Sequence, residues 1–499
     1  MTEQQLARAL VQAGHITPQQ VQDAAKNRAP GVGIAQALID SGAVRTIDVL
    51  QIDPTAFDGA AANPVAAAPP AAEPDEEAIG LGQGGAPALD DSGVLFEGDN
   101  LERASDPVSG AIVHFCNALL RQAVEIGASD VHLEPQADGL LPRFRIDGHL
   151  RQGETLSADV QLPIISRFKV LAHLDITEQR LPQDGRFRAT IGGRRFDFRV
   201  SSLPSIHGEK IVLRLLDHAA LVTNLTKLGF SSDARASFEQ MLNRSYGMIL
   251  ITGPTGSGKT TTLYAALAAA QDETKNVVTV EDPVEYELRG ITQTNVNSDI
   301  GLSFATQLRA VLRQDPDVIL VGEIRDTETA DVAIRAALTG HLLLSTLHTN
   351  SAVAAITRLQ DMDIAPFLIA SSLSGVVAQR LVRAICRNCR EVVSPESGEY
   401  QQAAIRFKLP EGTPIYHGRG CDACGGTGTR GRLAIVEVLH IDAALRRAIV
   451  QKLDSDALRE IAVQNGMRTL WQDGMDKLTR GLTTAEEISR VLLGAQSEE

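Results

Sequence analysis

The sequence predicts a multidomain α/β protein with a small helical N-terminal module, an α+β domain, an α/β core with a parallel sheet, a tetracysteine domain and a helical C-terminus. Three observations predict this class: a GPTGSGKT segment between an apolar strand and a helix, buried strands that alternate with helices after residue 243, and two CxxC pairs. The length of 499 residues suits roughly three domains. No run of about 18 apolar residues occurs, so no membrane-spanning helix is expected.

Charge and cysteine usage limit the classes of function. The net charge is −15, and ten of the acidic residues lie within residues 51–100, which contain no lysine or arginine. The remainder is close to neutral, so no nucleic-acid partner is expected. The five cysteines include two CxxC pairs, and the N-terminus has no basic region followed by an apolar core. These features favour a reducing compartment and predict a cytoplasmic protein.

Residues 1–53 contain an internal repeat with a period of 28 residues. LARALVQAG at Leu6–Gly14 realigns with IAQALIDSG at Ile34–Gly42, and each copy is predicted to form an amphipathic helix ended by glycine. Two such units predict a helical docking or packing module. Residues 54–94 are rich in Ala, Pro and Gly and have too little apolar surface to bury, so they predict a flexible acidic linker.

Residues 95–217 are predicted to form an α+β domain. One amphipathic helix is followed by segments in which apolar and polar side chains alternate, as they do in strands. A hairpin is predicted to turn at Gly192-Gly193, with Phe187 and Phe198 facing the same way on its two strands. A short interdomain linker over 218–231 follows.

The strongest indication of function is GPTGSGKT, within a predicted α/β domain over residues 232–380. This segment follows an apolar strand and begins a helix, which is the context that a phosphate-binding P-loop requires. Its backbone N–H groups would surround a phosphate, the Lys259 ammonium would neutralise phosphate oxygens, and the Thr260 hydroxyl would bind Mg²⁺. The predicted nucleotide-binding residues are Gly253, Pro254, Thr255, Gly256, Ser257, Gly258, Lys259, Thr260, Thr261 and Glu285.

Three polar clusters accompany later strands of this domain. The strands are short, apolar and separated by helices, so they predict a parallel sheet, whose ligand site lies at the carboxyl ends of its strands. Gly322 occupies the position where a P-loop protein usually carries a metal-binding aspartate, so Mg²⁺ is expected to be held by Thr260, waters and a glutamate. The candidate residues of the three clusters are Glu281, Asp282, Glu285, Glu323, Arg325, Asp326, His341 and His348.

Two CxxC pairs, separated by 31 residues, predict a structural zinc site in a domain over residues 381–438. Each pair supplies two thiolates from one tight turn, and four thiolates make a closed tetrahedral site. Redox-active dithiols are the alternative. Residues 439–499 are predicted to be helical. The four predicted zinc ligands are Cys386, Cys389, Cys421 and Cys424.

Several segments resemble motifs of the secretion ATPase superfamily, which serves type II secretion and type IV pilus assembly. GPTGSGKTTT, TVEDPVEYEL, LRQDPDVILVGEIRDTETA and TGHLLLSTLHTN resemble its Walker A, Asp-box, Walker B and His-box motifs. ASDVHLEP and LPQDGRF resemble its preceding domain, and the resemblance covers about residues 95–495. The tetracysteine segment followed by GTGTRGRLAIVEVL resembles type II secretion and pilus-extension ATPases.

This resemblance implies a cytoplasmic hexameric ring that hydrolyses ATP with Mg²⁺ and holds Zn²⁺. Each subunit would join a PAS-like N2 domain to a RecA-like ATPase domain. Glu281 and Glu323 would be the water-activating and metal-associated carboxylates, in an order that the sequence leaves open. His341 and His348 would sense the γ-phosphate. The arginines that the resemblance implies at the nucleotide, within a chain or across a subunit boundary, are Arg186, Arg199 and Arg214.

The resemblance also implies membrane partners. The ring would act on a polytopic inner-membrane platform protein. The N-terminal repeat resembles cyclic-di-GMP-binding domains of some pilus ATPases, but their Arg-Leu-Gly positions are here Gln5-Leu6-Ala7 and Gly33-Ile34-Ala35. Without those arginines, docking to the cytoplasmic domain of an inner-membrane secretion protein is the expectation. A pilus-extension ATPase is the alternative function, and a nucleic-acid motor and a scaffold without turnover are the competing classes.

Overall fold

The computed structural model describes residues 3–27, 94–96, 107–217 and 224–493, together with a few positions between 34 and 49. The chain divides into two compact units, Met1–Ala220 and Leu221–Glu499. Apart from Val94, the predicted linker lies outside the described residues, as does most of the second repeat copy. The same holds for residues 218–223 of the predicted interdomain linker.

The first unit begins with two short helices, α1 (Glu3–Gln12) and α2 (Pro18–Asn27). Leu6 and Leu10 of α1 are buried, and Gly14 beyond its end has a φ of 76°, as the predicted glycine stop requires. The other helices and strands of this unit are β1 (Val94–Phe96), α3 (Pro107–Glu125), β2 (Ala128–Gln136), β3 (Gly139–Ile146), β4 (His149–Gln152), α4 (Gln161–Leu171), β5 (Gln183–Ile191), β6 (Arg194–Ser205) and β7 (Gly208–Asp217).

These seven strands form one antiparallel sheet in the order β1-β5-β6-β7-β2-β3-β4, against which α3 and α4 pack. The predicted hairpin is β5–β6, and Phe187 pairs with Phe198 across it. The two buried rings stack with centroids 4.7 Å apart. Gly192 and Gly193 both have positive φ, as a two-residue turn of this hand requires. The predicted turn and facing pattern of the hairpin are confirmed.

The helices and strands of the second unit are α5 (Ser232–Leu242), β8 (Gly247–Thr252), α6 (Lys259–Ala270), β9 (Val277–Glu281), β10 (Thr292–Asn295), α7 (Phe304–Val311), β11 (Val318–Val321), α8 (Thr327–Leu338), β12 (Leu342–Leu347), α9 (Ala352–Asp361), α10 (Pro366–Ser372), β13 (Leu373–Ile385), β14 (Arg390–Val392), α11 (Gly398–Phe407), β15 (Tyr416–Gly418), β16 (Thr429–His440), α12 (Ala443–Val450), α13 (Ser455–Gln464), α14 (Leu470–Thr479) and α15 (Ala485–Ile488). Seven of these strands form a sheet in the order β10-β9-β11-β12-β8-β13-β16, in which only β13 and β16 pair antiparallel. The predicted parallel sheet is thereby confirmed.

Both faces of this sheet are covered. Every residue of β8 is buried, and its side chains alternate between two cores. Met248 and Leu250 pack in the core that contains α7, α8 and α9, whereas Ile249 and Ile251 pack in the core that contains α5 and α6. Two-sided burial explains why the strand is a continuous apolar run without alternation.

The tetracysteine segment is an insertion between β13 and β16. Those two strands pair from Gly375 with His440 to Ile385 with Thr429, and β14 and β15 form a small separate sheet between them. The predicted domain limits at 381 and 438 therefore fall inside strands, because the ladder of the large sheet continues past both positions. The described residues after His440 are mainly helical, as predicted, and no helix in the described part of the chain is long and apolar enough to cross a bilayer.

Candidate active site

The GPTGSGKT segment forms the turn between β8 and α6, so the predicted strand–loop–helix arrangement is confirmed. Gly256 and Gly258 have φ values of 78° and 86°, in the left-handed region that favours glycine. Gly258 is the residue that precedes the first turn of α6. The free N–H groups of that turn therefore border the loop, which is the arrangement that binds phosphate at a helix N-terminus. Thr260 follows in the same turn and is exposed.

Lys259 reaches back across the loop. Its Nζ donates hydrogen bonds to the carbonyl oxygens of Gly253, at 2.8 Å, and Pro254, at 3.1 Å. Burial lowers the pKa of Lys259; the nearby charge of Glu323 opposes this shift and that of Arg380 adds to it. The loop thus holds a half-buried cation with a carboxylate close by, which suits a polyphosphate and its metal ion.

Glu323 lies just beyond β11, at the carboxyl edge of the sheet. It forms ion pairs with Arg325 and with His348, whose Nε2 is 3.4 Å from Oε2. Burial alone would raise the pKa of Glu323, but the hydrogen bond and charge of Arg325 together with His348 hold it below its ordinary value. Because β11 and β12 are parallel neighbours, Glu323 and His348 lie together at the carboxyl ends of these strands. The charge of Glu323 also acts on the ammonium of Lys259 and opposes the lowering of its pKa.

Glu281, the last residue of β9, has a different environment. Its side chain is almost fully buried and accepts hydrogen bonds from Tyr264 Oη at 2.5 Å, Thr279 Oγ1 at 2.6 Å and Gln293 Nε2 at 3.2 Å. Burial and the Glu281 charge raise the pKa of Tyr264. Tyr264 lies on α6 and its hydroxyl accepts the backbone N–H of Glu285. Glu281 therefore links the P-loop helix to β9 and to the loop that carries Glu285.

His341 does not lie at the carboxyl ends of the parallel strands, where the P-loop and Glu323 lie. It precedes β12, its Nδ1 lies 2.9 Å from the Ala336 carbonyl, and its own carbonyl accepts the N–H of Gly247 at the start of β8. The six-residue strand β12 separates it from His348, a path of about 20 Å at about 3.3 Å per residue. The two histidines flank β12 in the sequence, so they lie at opposite ends of that strand.

Two polar residues at the site have no role in the sequence-based prediction. Thr252 ends β8, and its Oγ1 lies 2.6 Å from Thr349 Oγ1 and accepts the Thr349 N–H at 2.9 Å, which ties the P-loop strand to the residue after His348. Gln379 on β13 is buried against the P-loop. A polar residue within or at the end of an apolar strand is the only signal of either role in the sequence.

The three predicted arginines of the first unit occupy one row of its sheet. Arg186 pairs with Arg199 across β5 and β6, and Arg199 pairs with Arg214 across β6 and β7. Arg214 Nε donates to Asp130 Oδ1 at 2.9 Å. Residues directly opposite one another share a face of the sheet, and like charges there destabilise it. Asp130 lies directly opposite Arg214 on β2, so its carboxylate continues the row and offsets part of this repulsion.

The four cysteines of the insertion converge. Their sulfur atoms all lie within 4.8 Å of one another, and three of the distances are 3.8–3.9 Å. A tetrahedron with Zn–S bonds of about 2.3 Å requires sulfurs about 3.8 Å apart. Burial alone would raise the pKa of Cys424, but the backbone N–H groups of Cys421 and Gly428, each 3.2 Å from its sulfur, help to lower it to about 6. The donor set fits a tetrahedral metal ion that binds thiolates.

Comparison with known proteins accounts for this combination of features. A family described as "Type II/IV secretion system protein" matches residues 106–490. The chain belongs to this family. It is 49% identical over 408 residues to type II secretion system protein E of Dickeya dadantii, a match that covers 81% of the chain and 79% of the relative. It is 47% identical over 393 residues to type II secretion system ATPase E of Vibrio cholerae, covering 79% and 77%.

A solved structure supports the family fold. The pilus retraction motor PilT, solved with bound ADP, matches with a TM-score of 0.52 and 28% identity, covering 74% of the chain and 95% of PilT. The chain is an ATPase of the type II/IV secretion family, and its second unit has the mixed α/β, RecA-like architecture of such ATPases.

Proposed function

We propose that this secretion ATPase hydrolyses ATP in a cytoplasmic hexameric ring to power pseudopilus assembly and protein export by a type II secretion system. The observation that carries the proposal is the P-loop at the end of β8, beside the ion pair of His348 and Glu323 at the ends of β12 and β11, in a chain 47–49% identical to type II secretion proteins. The resemblance to this superfamily that the sequence motifs indicate is confirmed by the family match.

The geometry supports distinct roles for the two carboxylates. Glu323 borders the loop and is held in its charged form, so it is the group that can orient water or bind Mg²⁺ together with Thr260. His348, its neighbour, would contact the γ-phosphate. Glu281 is enclosed by three donors, which supports a positioning role through Tyr264. Mg²⁺, when bound, would neutralise phosphate charge.

The arginine row supports completion of the site by a neighbouring subunit. Charge that develops on the transferred phosphoryl group requires cations beyond Lys259, and arginine is the residue that other P-loop enzymes use for this purpose. Arg186, Arg199 and Arg214 are the candidates. The N-terminal module would dock on the cytoplasmic domain of an inner-membrane secretion protein, and the ring would act on a polytopic platform protein.

The four cysteines would hold one Zn²⁺ per chain, which would join the two turns of the insertion. We expect freshly purified, reduced protein to contain one equivalent of zinc, and Cys421→Ser to lose it, whereas Cys116→Ala, at a buried cysteine of the first unit, should retain it. Because metal binding supplies folding energy to a small domain, chelation should raise hydrogen exchange within residues 386–428 and leave the large sheet protected. Zinc-free protein with a protected insertion would contradict the assignment.

The role in secretion is tested by Glu323→Gln. We expect kcat to fall about a hundredfold or more, as for loss of a catalytic acid–base group, with nucleotide binding retained. A strain whose own copy is deleted should regain export with the parental chain but not with this variant. Glu328→Gln is the matched control, because Glu328 pairs with Arg309 on the surface of the same unit. Normal export but lost pili in the deletion strain would instead identify a pilus-extension ATPase.

A further inference from the structure

Gln379 is a buried amide on β13, a strand that otherwise contributes mainly apolar side chains to the sheet. Its side chain is 2% exposed. Burying a primary amide destabilises the folded protein unless its N–H donors and its carbonyl oxygen form hydrogen bonds. The partners of Gln379 therefore indicate what the residue is for.

Both ends of the amide contact the P-loop and its helix. Nε2 donates to the Ser257 carbonyl at 2.8 Å, and Oε1 accepts from Thr262 Oγ1 at 2.7 Å. Ser257 lies within the loop, and Thr262 is in the first turn of α6. One side chain thereby holds the loop and the helix in a fixed relation on either side of Lys259.

Two glycines of the loop pack closely against the same residue. A Cβ added at Gly253 would lie 2.4 Å from the Gln379 carbonyl oxygen, and a Cβ at Gly258 would lie 2.8 Å from Nε2. The first contact is with backbone that cannot easily move. Two glycines of the motif are thus required for close packing on β13 as well as for their positive φ.

We propose that Gln379 is a positioning residue for the nucleotide. It acts through Ser257 and Thr262, which hold the loop N–H groups and Lys259 in the arrangement that receives the phosphates. A preorganised loop binds more tightly because it loses less conformational freedom on binding. The inference rests on the proposed nucleotide site at the P-loop.

The test is the affinity for a fluorescent ATP analogue, measured on the full chain with kcat and KM. Gln379→Leu keeps the volume and removes both hydrogen bonds, so Kd and KM should rise at least about tenfold. Ser372→Ala is the control: it deletes another buried side-chain hydrogen bond, to the Leu368 carbonyl within α10, just before β13 begins, and should leave Kd unchanged. Circular dichroism establishes that each variant is folded at the assay temperature.

A double-mutant cycle with Thr262→Val separates positioning from a general loss of packing. Thr262→Val alone should raise Kd severalfold, and it should add little on the Gln379→Leu background because its partner is already gone. Parental affinity in Gln379→Leu, or fully additive effects, would overturn the inference. Should Gln379→Leu not fold, parental affinity in Thr262→Val overturns it equally. Failure of the parental chain to bind the analogue would refute the nucleotide site itself.

Discussion

Replacing Lys259 with alanine is expected to lower kcat for ATP hydrolysis by about a thousandfold or more while the protein stays folded. The ammonium lies over the P-loop and bonds two of its carbonyl oxygens, so its removal deletes the loop's only side-chain cation without creating a core cavity. Loss of a single preorganised group that stabilises transition-state charge costs about a hundredfold to a thousandfold, and here the charge also binds the substrate.

Steady-state phosphate release and the thermal unfolding midpoint, measured on the same preparations, check this expectation. Lys275→Ala is the matched control, because Lys275 pairs with Asp272 on the surface of the same unit, at 3.3 Å. The control should retain parental kcat. Hydrolysis by Lys259→Ala at the parental rate would show that the P-loop is not the catalytic nucleotide site.

Arg199→Ala is expected to reduce hydrolysis by about 10³-fold or more, the lower end of what arginine contributes to phosphoryl transfer in other P-loop enzymes. Arg199 occupies the centre of the arginine row, paired with Arg186 on one side and Arg214 on the other. If the row serves the P-loop of a neighbouring subunit, a chain without Arg199 still carries a competent P-loop. Activity should then return when another chain supplies the arginine.

Mixed rings provide the measurement. Arg199→Ala and Lys259→Ala chains are each expected to be inactive, but about a quarter of the interfaces in an equal random mixture join an intact P-loop to an intact arginine. We expect partial recovery of phosphate release in such mixtures. The control mixes Lys259→Ala with the Lys259→Ala, Arg199→Ala double variant, which forms no intact interface. If activity does not return in preparations shown to contain both variants in one ring, Arg199 has no role in trans. Arg186 and Arg214 can be tested in the same way.

The comparison of the two glutamates shows what sequence patterns could not resolve. Glu281 and Glu323 each come at the end of an apolar strand of the same sheet, so the local sequence does not show which of them activates water and which binds the metal. They differ because Tyr264 and Gln293, 17 and 12 residues away, close over Glu281, whereas Arg325 and His348 leave Glu323 beside Lys259. Which side chains surround a carboxylate depends on packing between elements, and such packing is not encoded in any short segment.

The sequence by itself determined the features whose residues are neighbours along the chain: the P-loop between β8 and α6, the β5–β6 hairpin and the two CxxC pairs. Each depends on backbone conformations that a few adjacent residues set. Only the tertiary structure decided that β13 and β16 extend the large sheet around the insertion, and that His341 lies at the end of β12 opposite His348. It alone placed Gln379 on Ser257 and Thr262, more than 100 residues earlier in the chain. These arrangements come from strand order and burial, which arise when distant segments pack together.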